Sequence, residues 1–169
     1  MDAIQAIMSR RSIRRYTQQE VSEDTVRQLL EAAMSAPSAG NEQPWQFVVV
    51  RQRRILEAIT SFHQYSQMLK QAALGIVVCG DLSLEVYGGF WVQDCSAATQ
   101  NILIAANALG LGAVWLGFHP FEDRVAGLKR MLSLPEQVIP LSMVSIGWPG
   151  EQKSPAKRYK QERVHYDAW

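Results

Sequence analysis

Between Trp91 and Leu109 the sequence WVQDCSAATQNILIAANAL holds a single charged residue, Asp94, among many small ones. As a helix it has almost no polar face to offer water, so it must be covered on nearly all sides. A chain of 169 residues with 47% hydrophobic content can bury one sizeable core. Placing this helix at a subunit interface is a natural way to cover what one core leaves open. A lipid bilayer does not serve instead. The uncharged run from Cys95 to Phe121 includes Ser96, Thr99, Gln100, Asn101, Asn107 and three glycines, too polar for a membrane span. No long apolar stretch follows Asp2 at the start, so the expectation is a cytoplasmic protein.

Around that helix the pattern alternates between helical and extended periods. DAIQAIMSRR predicts a short helix opened by Asp2, with Ile4, Ile7 and Met8 on one face. SEDTVRQLLEAAMSA predicts an amphipathic helix capped by Ser22, with Glu23 and Asp24 in its first turn. Val26, Leu29, Leu30, Ala33 and Met34 form its apolar stripe. PSAGNEQP interrupts regular structure, and WQFVVV follows as a strand that Trp45 opens as a core residue. RRILEAITSF and QYSQMLKQA predict shorter helices, LGIVVCGD a buried strand, GAVWLGF a strand and EDRVAGLKRML a helix, with Gly110 a cap for the long helix before it. QVIPLSMVSIGW predicts a last strand, in which Pro140 favours an edge or a bulge.

The elements mix without strict βαβα order, which predicts an α+β fold. No repeat or long linker divides the chain, so residues 1–169 are expected to form one domain. The glycines form neither G-x-G-x-x-G nor G-x-x-x-x-G-K-[ST], and no Rossmann or Walker nucleotide site follows. Cys79 and Cys95 read as small core residues. His63, His119 and His165 have no triad or metal spacing and read as structural or surface residues. His119 has the best claim to a role, because it closely follows GAVWLG.

The formal net charge is +1, so neither nucleic acid nor an anionic membrane is an expected partner. RRSIRRY nevertheless gathers Arg10, Arg11, Arg14 and Arg15 around Ser12. Two readings stand on the residues alone. The arginines complement a helix C-terminus on a solvated face, or they hold an anion through forked, charge-assisted hydrogen bonds.

RRSIRRY near the start, PSAGNEQPWQFVVV some two dozen residues later and GLGAVWLGF after the long helix together resemble the nitroreductase family, in its short FMN-binding members. The ending KRYKQERVHYDAW is similar to that family's ending as well. The resemblance implies an intertwined homodimer with a central mixed or antiparallel sheet flanked by helices. It implies an enzyme passing hydride or electrons from NAD(P)H through FMN to a small oxidised acceptor, such as a nitroaromatic or a quinone, in ping-pong order. A flavin-binding sensor or storage protein, or a flavin enzyme of different outcome, such as reductive dehalogenation or flavin fragmentation, would keep the same residues.

By the same resemblance Arg10 binds the FMN phosphate, Ser12 a ribityl or phosphate oxygen, and Arg14 the pyrimidine edge of the ring, while Arg11 adds backbone or charge contacts. Arg15 matches nothing and reads as surface. Pro37, Ser38, Ala39 and Asn41 line the flavin of the other subunit, and Gln43 orients that loop or touches the ring. Trp115, Leu116 and Gly117 approach the ring by their backbone near N5. Many larger members carry a glutamate there, so no side-chain role is implied, and Val114, Trp115 and Leu116 also read as a plain core strand. Arg158 completes the phosphate site. The lysine position two residues before it holds Ala156, with Lys157 and Lys153 nearby. No catalytic acid or base and no metal is implied, since FMN carries the chemistry.

Overall fold

Along Leu74–Asp81, Leu74, Ile76 and Val78 face one core while Val77 and Cys79 face the other. Successive side chains of a strand point to opposite faces, so this strand separates two apolar layers. The computed structural model, which describes residues 1–154 and 156–169, builds the rest around it. The strands are β1 (Trp45–Val50), β2 (Leu74–Asp81), β3 (Gly112–Gly117) and β4 (Val138–Gly147). They run in the order β1-β2-β4-β3, and every neighbouring pair is antiparallel. The helices are α1 (Ala3–Ser9), α2 (Glu23–Met34), α3 (Arg53–Ile59), α4 (Trp91–Ala108) and α5 (Glu122–Leu132). Apolar residues of α2 and α4 fill the core on one face of the sheet, and those of α3 and α5 fill the other. This is the expected α+β arrangement.

Pro140 resolves as a bulge in an interior strand. Val78 pairs with Ser142 but Cys79 pairs with Pro140, which leaves Leu141 over. The extra residue changes the side-chain parity of β4. Ile139 before it and Leu141 itself therefore reach the same core as Val144 and Ile146 after it. A residue without an N–H is tolerated in the middle of a sheet where pairing is already interrupted.

Caps form as the sequence predicts. Asp2 accepts from the Gln5 N–H and Ser22 from the Thr25 N–H, and Gly110 follows α4 at φ +80°. One expectation needs correction, and two faces stay open within a single chain. QYSQMLKQA is not a helix but a single 3-10 turn over Gln67–Lys70, where the Ser66 hydroxyl donates to the His63 carbonyl and closes a local turn instead. In α1 only Ala6 is buried, while Ile4, Ile7 and Met8 are 69%, 48% and 67% exposed. Within one chain α4 is not covered on nearly all sides: Gln93, Gln100 and Ala108 are exposed and Ala97 and Ile104 are half-buried, in one stripe.

The two cysteines are buried free thiols, and burial pushes Cys79 up to about 12, far from a reactive thiolate. Among the described residues no helix is long and apolar enough to cross a membrane.

The segment after α1 is fastened to the open edge of the sheet. The Ile13 N–H donates to the Ala113 carbonyl at 3.0 Å, and Ser12 forms a parallel bridge with Ala113 on β3. The Tyr16 hydroxyl donates toward the carbonyls of Ile13 and Ser145 at 2.9 and 3.1 Å, inside the core. Gly147 permits this approach, since a Cβ there would lie 2.9 Å from the Tyr16 ring. Tyr16→Phe keeps the ring and removes only the hydroxyl, and is expected to cost about 1–2 kcal/mol. A lowered urea midpoint with an unchanged slope is the reading of that loss. An unchanged midpoint would show that the hydroxyl does not hold this segment down.

Candidate functional site

Fastening Ser12 and Ile13 to β3 sends the flanking arginines in different directions. Arg10 caps α1 and is half-buried, and its pKa is lowered by burial and by the like charges of Arg158 and Arg11. Three guanidinium groups thus converge from the two ends of the chain. Arg11 serves the backbone: its Nε donates to the Ser154 carbonyl at 3.0 Å, and Nη1 donates to Met8 and Arg10 carbonyls at 3.0 and 2.7 Å. Its Nη2 is buried without a partner among the described residues. Lys153 donates to the Ser12 carbonyl at 2.6 Å and pairs with Glu151 at 3.4 Å. Glu151 accepts from the Arg14 N–H at 2.6 Å, and that bond holds its carboxyl below the usual range. Lys157 and Arg158 are exposed, Arg158 lying near enough to Arg10 to perturb it.

Arg14 points the other way, into a cleft of about 440 Å³ lined along one side by Val114, Trp115, Leu116 and Gly117 of edge strand β3. The Leu116 side chain is buried in the core, and Trp115 packs partly against the opposite one. What these residues offer the cleft is therefore chiefly backbone. An edge strand leaves part of its N–H and C=O groups without a strand partner.

The opposite wall was not legible in the sequence. His63, Gln64, Tyr65, Gln67 and Met68 come from the irregular segment after α3, and Arg124 from α5. His63 is buried, its Nε2 donates to the Gly117 carbonyl at 3.0 Å, and its Nδ1 is buried without a partner among the described residues. Burial lowers its pKa, against the Gly117 carbonyl, which favours the protonated ring. Arg124 also donates to the Gly117 carbonyl, at 3.2 Å, and lies over the rings of Phe121 and Tyr65 at 4.1 and 5.8 Å. Two donors on one carbonyl fix the peptide at the end of β3. Of the three histidines His63, and not His119, lines the cleft. His119 instead meets the Trp91 ring edge-on at 4.9 Å. No motif marks His63 or Arg124; in the fold His63 is buried and Arg124 half-buried.

The Pro37–Gln43 loop is not brought to this cleft within one chain. Pro37, Ser38 and Ala39 line a separate opening of about 340 Å³ with Phe90, Gln93, Asp94 and Ala97 of the α4 region. Gly40, Asn41 and Gln43 take left-handed backbone at φ 53°, 60° and 48°. Glycine and asparagine tolerate that region best. The Gln43 N–H donates to Ser38 Oγ at 3.0 Å, and its side chain donates to Asn41 Oδ1 at 2.9 Å. Trp45 is a core residue, as expected.

Comparison with known proteins identifies the family and the fold. A family model described as "Nitroreductase family" matches residues 7–75 and 62–148. A protein of Methanothermobacter thermautotrophicus, provisionally named NADH dehydrogenase/NAD(P)H nitroreductase, is 51% identical over all of this chain and 88% of its own length. A solved structure from Parabacteroides distasonis with the same provisional name has TM-score 0.95 and 35% identity, covering 99% of this chain and 98% of that one. A structure from Desulfovibrio desulfuricans, provisionally named a nitroreductase in complex with FMN, has TM-score 0.87 and 33% identity, covering 100% and 98%.

Proposed function

Because the chain belongs to the nitroreductase family, we propose that it is a homodimeric, FMN-dependent oxidoreductase, with residues 1–169 acting as one FMN-binding domain. It passes electrons from NAD(P)H to a small oxidised acceptor, such as a nitroaromatic or a quinone, in ping-pong order. One observation carries the reading. Ser12 is bridged to Ala113, so the arginine segment and the Val114–Gly117 backbone lie side by side along one open sheet edge, and Arg14 shares a cleft with that edge.

The residues fit the cofactor. Arg10 is half-buried among like charges, which a phosphate dianion would relieve. Arg10 and Arg158, with Lys157 beside them, would hold that phosphate, and Ser12 a ribityl or phosphate oxygen. Arg11 acts indirectly, since its Nε and Nη1 are committed to backbone carbonyls. Trp115, Leu116 and Gly117 would meet the ring with backbone groups. Pro37, Ser38, Ala39, Asn41 and Gln43 would approach from the second subunit, in keeping with their separation from the Arg14 cleft. FMN, when bound, supplies two-electron transfer between nicotinamide and acceptor. The protein's part is to bind, orient and set the electrostatics.

Arg14 has the clearest electrostatic role, because it sets positive charge where the reduced cofactor gains negative charge. Arg14→Ala is expected to retain FMN while its midpoint potential falls, since only the reduced form loses a favourable contact. A potential equal to wild type would remove Arg14 from this role. The test of the whole reading is the absorption spectrum of the purified protein before and after anaerobic NAD(P)H. A yellow protein bleached by the nicotinamide and reoxidised by a nitroaromatic or quinone is expected. Bound flavin that NAD(P)H fails to bleach would instead indicate binding without turnover.

A further inference from the structure

Glu42, in the loop before β1, and Asp94, in the first turn of α4, meet side chain to side chain. Two of their four oxygens are accounted for. Glu42 Oε2 accepts from the N–H groups of Val86 and Tyr87 at 2.6 and 3.0 Å, and Asp94 Oδ1 accepts from the Ala39 N–H at 3.0 Å. The other two, Glu42 Oε1 and Asp94 Oδ2, are shielded from water and have no donor among the described residues. Asp94 is only 4% exposed. Two ionised carboxylates do not face each other in such a place, because buried acceptors need a hydrogen and like charges in contact drive one group to keep its proton.

Among the described residues the surrounding groups offer no alternative. The titratable neighbours of Asp94 are Glu42 from the loop, Glu85 from the segment between β2 and α4, and Cys95 on α4 itself, and none is a cation. Glu85 is occupied, accepting from the N–H groups of Gly89 and Trp91 at 2.6 and 3.2 Å.

We infer that Asp94 and Glu42 share a single proton, and that this acid–carboxylate bond is a positioning device for the Pro37–Asn41 loop. It ties Ala39 to α4 on one side and to Val86 and Tyr87 on the other. The Tyr87 ring completes the clamp, packing where a Cβ on Gly40 would stand. The inference rests on the proposed function in one respect only: there this loop lines the partner subunit's flavin.

The surroundings push the two carboxyls in opposite directions. Burial raises the pKa of Asp94, as do Glu42 and Glu85, against the Ala39 N–H. Burial acts on Glu42 too, but the N–H groups of Tyr87 and Val86 and the bond from Asp94 bring it down. For a raised acid, stability is full below its ordinary pKa and is lost as pH rises through the native one. For a lowered acid, it is present above the ordinary value and lost as pH falls through the native one. The loop is therefore held best between the two native values and loosens on the alkaline side through Asp94.

The test is a titration of carboxyl signals, by infrared difference or carbon NMR, in the FMN-loaded wild type and in Asp94→Asn and Glu42→Gln. One carboxylic acid should persist in the wild type well above the range in which ordinary Asp and Glu ionise, and be absent from both variants. Asp94→Asn can still accept from Ala39 and donate to Glu42. It should hold FMN within about threefold of wild type and lose the alkaline release of FMN, whereas Asp94→Ala should loosen FMN about tenfold or more. No persisting acid in the wild type, or one that survives both substitutions, would overturn the inference. A protein that shows the signal but takes up no FMN would overturn the proposed function and leave the shared proton standing.

Discussion

Arg10→Ala with Arg158→Ala is expected to weaken FMN binding by about a hundredfold or more while leaving riboflavin affinity within a few-fold of wild type. The two guanidinium groups come from opposite ends of the chain, yet the charge of Arg158 helps lower the Arg10 pKa, after burial. Holding like charges together is unfavourable, and a dianionic phosphate between them converts the repulsion into two charge-assisted contacts. Each such contact is worth about 1.5–3 kcal/mol, so losing both accounts for the expected change. Riboflavin lacks the phosphate and should hardly register the loss. The measurement is flavin titration by fluorescence quenching, with FMN and riboflavin in parallel. Equal weakening of both ligands would show that the arginines support the fold instead of the phosphate. Equal affinity of the wild type for both would remove the phosphate site altogether.

Dilution is expected to release FMN and unfold the chain in one transition, as follows from the proposal that the functional unit is a dimer with each flavin held between subunits. Three features of the single chain point there. The α4 stripe of Gln93, Ala97, Gln100, Ile104 and Ala108 is left partly open although it carries no charge. The apolar face of α1, with Ile4, Ile7 and Met8, is exposed. The described residues after Glu151 are exposed as well, including Tyr159, Tyr166 and Trp169, the last fully. Apolar area of this extent is more than soluble monomers ordinarily show. A second copy covering α4 would also carry its Pro37–Gln43 loop toward the Arg14 cleft, which no single chain does. An obligate dimer has no stable folded monomer, so loss of the partner, the cofactor and the fold should coincide. Sedimentation over decreasing concentration, followed at the flavin absorbance, reads all three. A folded, FMN-loaded species at 19.0 kDa would refute this.

What the sequence by itself determined is what local periodicity and local chemistry control. The alternation of β2, the caps at Asp2 and Ser22, the break at PSAGN and the arginine cluster are each decided by residues within a turn or two of one another. Family resemblance could be carried by such segments for the same reason, since each keeps its own shape. Tertiary structure alone decided which distant segments meet. Nothing in QYSQMLKQA announces that its own residues would wall the cleft, or that His63 just before it would reach the Gly117 carbonyl across 54 residues of chain. The meeting of Glu42 with Asp94, the convergence of Arg10 on Arg158 and the parity change at Leu141 are of the same kind. Each depends on how two elements pack across the sheet. Packing is set by the sum of many apolar contacts over the whole core, so no single stretch of residues contains it.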